Sequence, residues 1–493
     1  MSKVIIIGAG ISGLSAGIYA QKYGFRSQIF EMHSIAGGQC TGWDRDGYHI
    51  DGSIHWLSGT RKGTVLNKLW HEIGAINDIE IYQPEYFSCT MGDKEKVFIY
   101  SNKERLQKHL IEISPEDENE IVNLLNLSMV YSNFEPPYDQ PCDQPQYTPL
   151  FVRISEKLNS IKYWRKRSTQ LDYNRITVEE YVEHFKNPSI RYSLKSLLPT
   201  SYKASDLFFM LGSFLSGNAG KPMGGSRSFA NRIADYYSTL GGVISYNKEV
   251  KLVNIENGIA KSVILKDGSE HEGDYIIIAC DPKVIFNKLI PDKFMPLEFK
   301  KRYRRPYIYP LISCCFLSFR IDKDLKDYPS VIHFKTVPVK VEDHEIDELS
   351  ITHYCLEPNF SPEGKSIITV HLYANYDWWK EKRNTIENYK TEKIQLANRI
   401  IDRIEKRFPE LKDKIHLLDV ATPLTYERFC GAYKGAYMSF GDTPNAIPLK
   451  SQKISQLLKN VFLAGQWLLP PGGLPNAALT GKWAADNIRD LEK

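Results

Sequence analysis

The chain has 493 residues, 42% of them hydrophobic, 25% charged and 12% aromatic, the make-up of a globular protein with more than one core. Its 63 basic and 59 acidic residues leave a formal net charge of +4, a balance that argues neither for nucleic acid as a partner nor for an acidic tail. Eight cysteines, adjacent only at Cys314 and Cys315, form no CxxC pair, which suits a reduced, cytoplasmic compartment, and no stretch nears the ~20 apolar residues of a membrane span.

In chain order, Lys3–Ile7 reads as a buried parallel strand, 13–23 as a helix lying close on a sheet, and Arg26–Phe30 as a second strand. The segment 48–56 reads as extended and returning to the same sheet. From 65 to 127 the pattern is helical with mixed charge, and the Pro-, Asp- and Gln-rich stretch 136–149 reads as a loop or lid hinge. A long helical region follows over 177–214; its apolar end, 207–215, suits a buried core helix better than a substrate or membrane face. Gly224-Gly225 then opens a helix to Leu240, followed by strands at Val243–Ser245, 250–255 and 262–265, a hairpin turn at Asp267-Gly268, and a buried strand over 275–279. Leu311–Ile321 and 366–372 read as strands of a different sheet, 391–408 as an amphipathic helix, 461–464 as a strand and 476–491 as the last helix.

Gly8-Ala9-Gly10-Ile11-Ser12-Gly13 fits GxGxxG, whose glycines allow a tight turn, a close approach of backbone to pyrophosphate, and close helix packing. The motif alone is weak, but it follows a strand, opens a helix and precedes a second strand ending in Glu31, eighteen positions after Gly13. A carboxylate there suits the adenosine ribose hydroxyls and repels a 2′-phosphate. Six positions on, Gly37-Gly38-Gln39-Cys40 lets backbone amides crowd a second part of a pyrophosphate and flavin, which favours FAD over NAD.

With these elements the chain resembles the FAD-containing amine oxidase and phytoene desaturase superfamily, although Gln39 stands where its Gly-Gly-Arg element has arginine, so no guanidinium role carries over. Asp51-Gly52-Ser53-Ile54-His55-Trp56 is most similar to the carotenoid desaturase and retinol saturase branch, in the run beside the isoalloxazine. Gly224-Gly225, Gly241-Gly242, Val250 and the turn after Ala279 resemble its second FAD-contacting segment, and Gly465 with 471–475 its closing segment, where Pro475, Asn476 and Ala477 start a helix. The resemblance implies an α/β fold, α+β overall: a discontinuous Rossmann-like FAD domain (1–75, 215–290 and 415–493) with an inserted substrate region of mixed sheet and helices (76–214 and 291–414). It also implies hydride exchange at flavin N5 with an apolar polyene or isoprenoid, by desaturation, saturation or isomerisation. A helix N-terminus aimed at the flavin N1/C2 region would favour an anionic reduced flavin.

No metal spacing or catalytic triad appears, so His55 is the candidate for proton transfer or substrate positioning, with a structural role as its alternative, and Trp56 suits core packing. The basic-aromatic clusters 162–167 and 300–305 suit a solvated face by default and an anionic membrane surface otherwise. Two rivals remain: an oxygen-using relative of amine or protoporphyrinogen oxidases, and a flavin-fold protein that only binds partners. The oligomeric state is not legible.

Overall fold

The computed structural model describes residues 1–92, 95–139, 173–446 and 458–493. The basic cluster 162–167 and most of the stretch 136–149 lie outside them.

The chain is mixed α/β. Lys3–Ile7 (β1) stands at the centre of a five-stranded parallel sheet in the order Val243–Ser245, Arg26–Phe30 (β2), β1, Tyr275–Ile278, Val461–Leu463. Both faces are covered, which is why β1 is apolar from Val4 to Ile7 rather than alternating. Val4 and Ile6 enter one core with Ile11–Lys22 (α1) and the final helix Leu474–Leu491, whereas Ile5 and Ile7 enter another, on the side of a three-stranded antiparallel sheet. That second sheet is Val250–Glu256, Ile259–Leu265 and Glu270–Glu272, turned at Asp267-Gly268 as read from the sequence.

A larger sheet faces this unit. Its order is Ile415–Ala421, Leu311–Ile321, Ser366–Tyr373, His344–His353, Val331–Val341, Tyr86–Met91, Lys96–Tyr100, with Ala436–Phe440 added to Leu311–Ile321. In Ser366–Tyr373, Ile368, Val370 and Leu372 join the core under the helix Ile386–Arg407, so Thr369, His371 and Tyr373 occupy the opposite face. Among the described residues no helix is long and apolar enough to cross a membrane.

The structure corrects several sequence expectations, some through long-range pairing and some through local turns and caps. The segment 48–56 does not rejoin the parallel sheet; Tyr48–Asp51 pairs with Gly42–Arg45 in a hairpin of its own. Within 65–127, the strands Ile81–Tyr82, Tyr86–Met91 and Lys96–Tyr100 interrupt the helices, because Tyr86–Met91 finds a partner in Val331–Val341, far along the chain. The region 177–214 is three helices, the second started by Asn187, whose side chain caps Ser189 and Ile190, and by Pro188. Ile415–Ala421 and Ala436–Phe440, placed above with the cofactor domain, belong by pairing to the larger sheet. The cluster 300–305 is not a uniformly solvated face either: Arg302 is buried, its guanidinium 4.6 Å from the centre of the Tyr309 ring.

Candidate functional site

The turn after β1 is built by backbone. Gly8 has φ +99°, and a Cβ on Gly13 would stand 1.9 Å from the Gly8 carbonyl oxygen, so only glycine lets α1 start this close to the strand. Gly37 lies on this turn, its N–H donating to the Ala9 carbonyl at 2.8 Å, and a Cβ there would meet the Cys40 carbonyl oxygen at 2.3 Å. The buried Glu31 carboxylate accepts from the Ala9 N–H at 2.7 Å and the His33 N–H at 2.9 Å, which clamps the loop between β1 and α1 to the end of β2. No acidic residue stands in the first turn of α1, so its positive end is left for an anion.

The closing segment comes from the other end of the chain. The Gly465 N–H donates to Thr480 Oγ1 at 2.9 Å, and Asn476 Nδ2 donates to the Leu469 and Gly472 carbonyls at 2.8 and 2.9 Å. Gln39 ties this segment to the glycine doublet: its Nε2 donates to the Ala436 carbonyl at 2.9 Å, and its Oε1 accepts from Gln466 Nε2 at 3.1 Å. The final helix lies against α1, where a Cβ on Gly481 would stand 2.2 Å from the Ser12 carbonyl oxygen and Ser15 Oγ donates to the Ala478 carbonyl at 2.7 Å.

Between the two units lies a cavity of about 1770 Å³. Most residues assigned from the sequence to cofactor contact line it, from Gly8 and Glu31 through Ile54, Val250 and Ala279 to Ala477, but Gly13 does not, nor do Gly224, Gly225, Gly241 and Gly242. Gly13 stands behind the turn and serves packing. His55 is held in the wall by the segment before it: Asp51 Oδ2 accepts from the Ser226 N–H at 2.9 Å, and Ser226 Oγ accepts from the Ile54 N–H at 2.7 Å. Trp56 does both jobs, packing edge-on against Phe214 at 5.3 Å while lining the cavity. So does the helix Ala204–Leu215, whose Leu207, Phe208 and Leu211 are core while Phe209 and Met210 face the cavity.

Sequence reasoning missed His371, on the cavity face of Ser366–Tyr373. Its ring centre is 5.5 Å from that of His55, 4.7 Å from Phe316 and 5.7 Å from Tyr437. Burial, with His55 adding to it, pushes His371 down to about 3. Desolvation by the surrounding wall, helped by Lys221 and opposed by Asp51, also lowers His55, although the residue is exposed to the cavity. Both imidazoles are therefore neutral near pH 7, each offering one donor and one acceptor nitrogen. The only sequence signal for His371 was a polar residue in an apolar strand.

The glycine turn, the backbone clash that any side chain would cause there, and the unopposed helix end fit a dinucleotide-sized cofactor. A family model described as flavin containing amine oxidoreductase matches residues 11–489. Prolycopene isomerase 1 from an Oncidium hybrid cultivar is 23% identical over 98% of this chain and 83% of its own length. The 4,4'-diapophytoene desaturase (4,4'-diapolycopene-forming) of Methylomonas sp is 24% identical over 96% of this chain and 92% of its own. In fold, an oxidoreductase from Methanosarcina mazei superposes with a TM-score of 0.62 over 100% of both chains at 16% identity.

Proposed function

Since the chain belongs to the flavin-containing amine oxidoreductase family, we propose that it holds FAD and acts on an apolar polyene or isoprenoid, desaturating, saturating or isomerising it. The reading rests above all on the cavity: at about 1770 Å³ it exceeds the ~300–1,000 Å³ of a single-ligand site, leaving space for a substrate beyond the cofactor. It is supported by the desaturase and isomerase relatives, which match nearly the whole chain.

In this reading Glu31 takes the adenosine ribose, the amides at the start of α1 and around Gly37-Gly38 take the pyrophosphate, and the backbone at Val250 and Ala279 borders the adenosine end. Bound flavin would supply hydride exchange at N5. Around it, Trp56, Phe209 and Met210 would hold the apolar chain and exclude water. The neutral rings of His55 and His371 would orient the reacting segment without placing a charge beside it.

The test is anaerobic mixing of the flavoprotein with phytoene-type and retinoid polyenes while the flavin absorbance is followed, after the released cofactor has been identified by chromatography. Bleaching, or reoxidation of the reduced enzyme, by a polyene is expected. Peroxide release with amines and no response to any polyene would overturn the reading in favour of an amine oxidase.

A further inference from the structure

One wall of the cavity carries more polar chemistry than a pure hydrocarbon needs. Asp206, in the first turn of the helix Ala204–Leu215, lines the cavity, and its Oδ2 is a buried oxygen with no hydrogen-bond partner among the described residues. A buried polar atom left unpaired costs stability, and such a group in a cavity wall calls for a ligand that completes it. The terminal torsion of an aspartate is soft and roughly two-fold, so either oxygen can face the cavity.

The neighbours say what kind of ligand. Asp442 lines the same wall but is already paired with the Lys203 ammonium. Burial, with Asp442 adding like-charge repulsion and Lys203 opposing through its charge and its backbone N–H, pushes the Asp206 carboxyl well above the usual carboxylate range, so it is poised to be neutral and to donate as well as accept. A cationic ligand would meet a neutral acid with an ammonium nearby, whereas a hydroxyl can match both roles. Tyr202, Tyr373 and Tyr437 line the cavity at this wall; Tyr373 is two residues from His371 on the same strand face, and Tyr437 packs on the His371 ring.

We infer that Asp206, with Tyr202, Tyr373 and Tyr437, forms a polar subsite that takes the hydroxyl-bearing end of an otherwise apolar substrate. This rests on the polyene reading above and narrows it: one end of the molecule is an alcohol, and its anchoring sets which bond reaches the His55–His371 segment of the cavity.

The experiment titrates the intact flavoprotein with a twenty-carbon isoprenoid alcohol and with the hydrocarbon of the same skeleton, reading tryptophan fluorescence and the flavin absorbance band. The wild type is expected to bind the alcohol about tenfold more tightly. Asp206→Leu should bring the two within about twofold with hydrocarbon affinity kept or raised, Tyr437→Phe should reduce the preference in part, and Asp206→Asn, which keeps a donor and an acceptor, should retain most of it. Equal binding of alcohol and hydrocarbon by the wild type overturns the subsite alone, as does an undiminished preference in Asp206→Leu. If neither ligand binds, the polyene reading falls and takes the subsite with it. Should Asp206→Leu fail to retain flavin, the contrast between Asp206→Asn and Tyr437→Phe decides, and equal preference in those two overturns the subsite.

Discussion

The two ends of the cavity are built by different means. At the glycine turn, backbone atoms make the surface and side chains are excluded: Gly8, Gly13 and Gly37 are each placed where a Cβ would meet a main-chain oxygen at 3.1, 1.9 and 2.3 Å. At the other end, side chains make it. His55 comes from the loop after the first hairpin, His371 from a strand of the larger sheet, Asp206 from a helix and Tyr437 from the strand Ala436–Phe440. A backbone surface tolerates almost no substitution, while a side-chain surface can change its chemistry with the fold intact.

The sharpest way to break that contrast is Gly13→Ala. Its Cβ would stand 1.9 Å from the Gly8 oxygen and 3.3 Å from the Ala279 Cβ, and a turn held between a sheet and a packed helix cannot yield cheaply. A cost of about 3 kcal/mol and protein purified without flavin are expected, measured by the denaturant midpoint and by flavin absorbance per chain. Tyr437→Phe, in the side-chain half, should keep its flavin. Flavin retention in Gly13→Ala at wild-type stability would show that the turn yields, and the contrast would collapse.

This difference also explains what could be read in advance. The glycine turn, β1, α1 and Glu31 lie within one short stretch, and their requirements are local, so spacing alone revealed them. The closing segment Gly465 to Ala477 was legible through its resemblance to the family's C-terminal segment, since its glycines and prolines alone read only as a turn before a helix. His371 was not. Its strand was recognised, but which face meets the cavity depends on Ile368, Val370 and Leu372 packing under a helix that comes later in the chain. Tyr86–Met91 was taken for helix because its partner, Val331–Val341, lies far along the chain and nothing local shows the pairing. Asp206 was hidden by its setting: the apolar run beside it announces a core helix, and only the fold shows that one side of that helix is a cavity wall.

A second, smaller effect should separate the halves by pH. Burial holds His371 near about 3 and His333 near about 4, so both stay neutral in the folded chain while the unfolded chain takes up protons below about 6.5. Their contribution to stability is full above pH 6.5 and declines as pH falls, by about 2 kcal/mol each on reaching pH 5. Asp281 acts in the opposite sense: raised to about 6 by burial, it binds its proton first in the folded state and returns about 1 kcal/mol over the same range. The expectation is therefore comparative, because Asp206, Glu342, Glu348 and Glu357 are raised by burial as well: between pH 7 and pH 5 the urea midpoint of His371→Gln should fall less than that of the wild type. An identical fall in that variant would show that His371 does not stay neutral.

The smallest effect tests the seam between the two ends of the chain. Gln39 stands where the resembling family has arginine, and its geometry gives the amide a task of its own. Its Nε2 serves the Ala436 carbonyl, while its Oε1 accepts from Gln466, whose own Oε1 accepts from the Gly473 N–H at 2.9 Å. An arginine can donate to Ala436 but cannot accept from Gln466, whose Nε2 would then lack an acceptor in a half-buried place. Gln39→Arg should therefore lose about 1 kcal/mol and Gln39→Ala, which loses both bonds, about 1–2 kcal/mol, read as thermal midpoints of the flavin-loaded protein. Flavin should also dissociate faster from both, because the loosened segment Gly465–Ala477 closes the cavity over the glycine turn. A Gln39→Arg variant as stable as the wild type would mean that the closing segment re-forms around a guanidinium, and that the glutamine is one of two workable seams between the backbone half and the side-chain half.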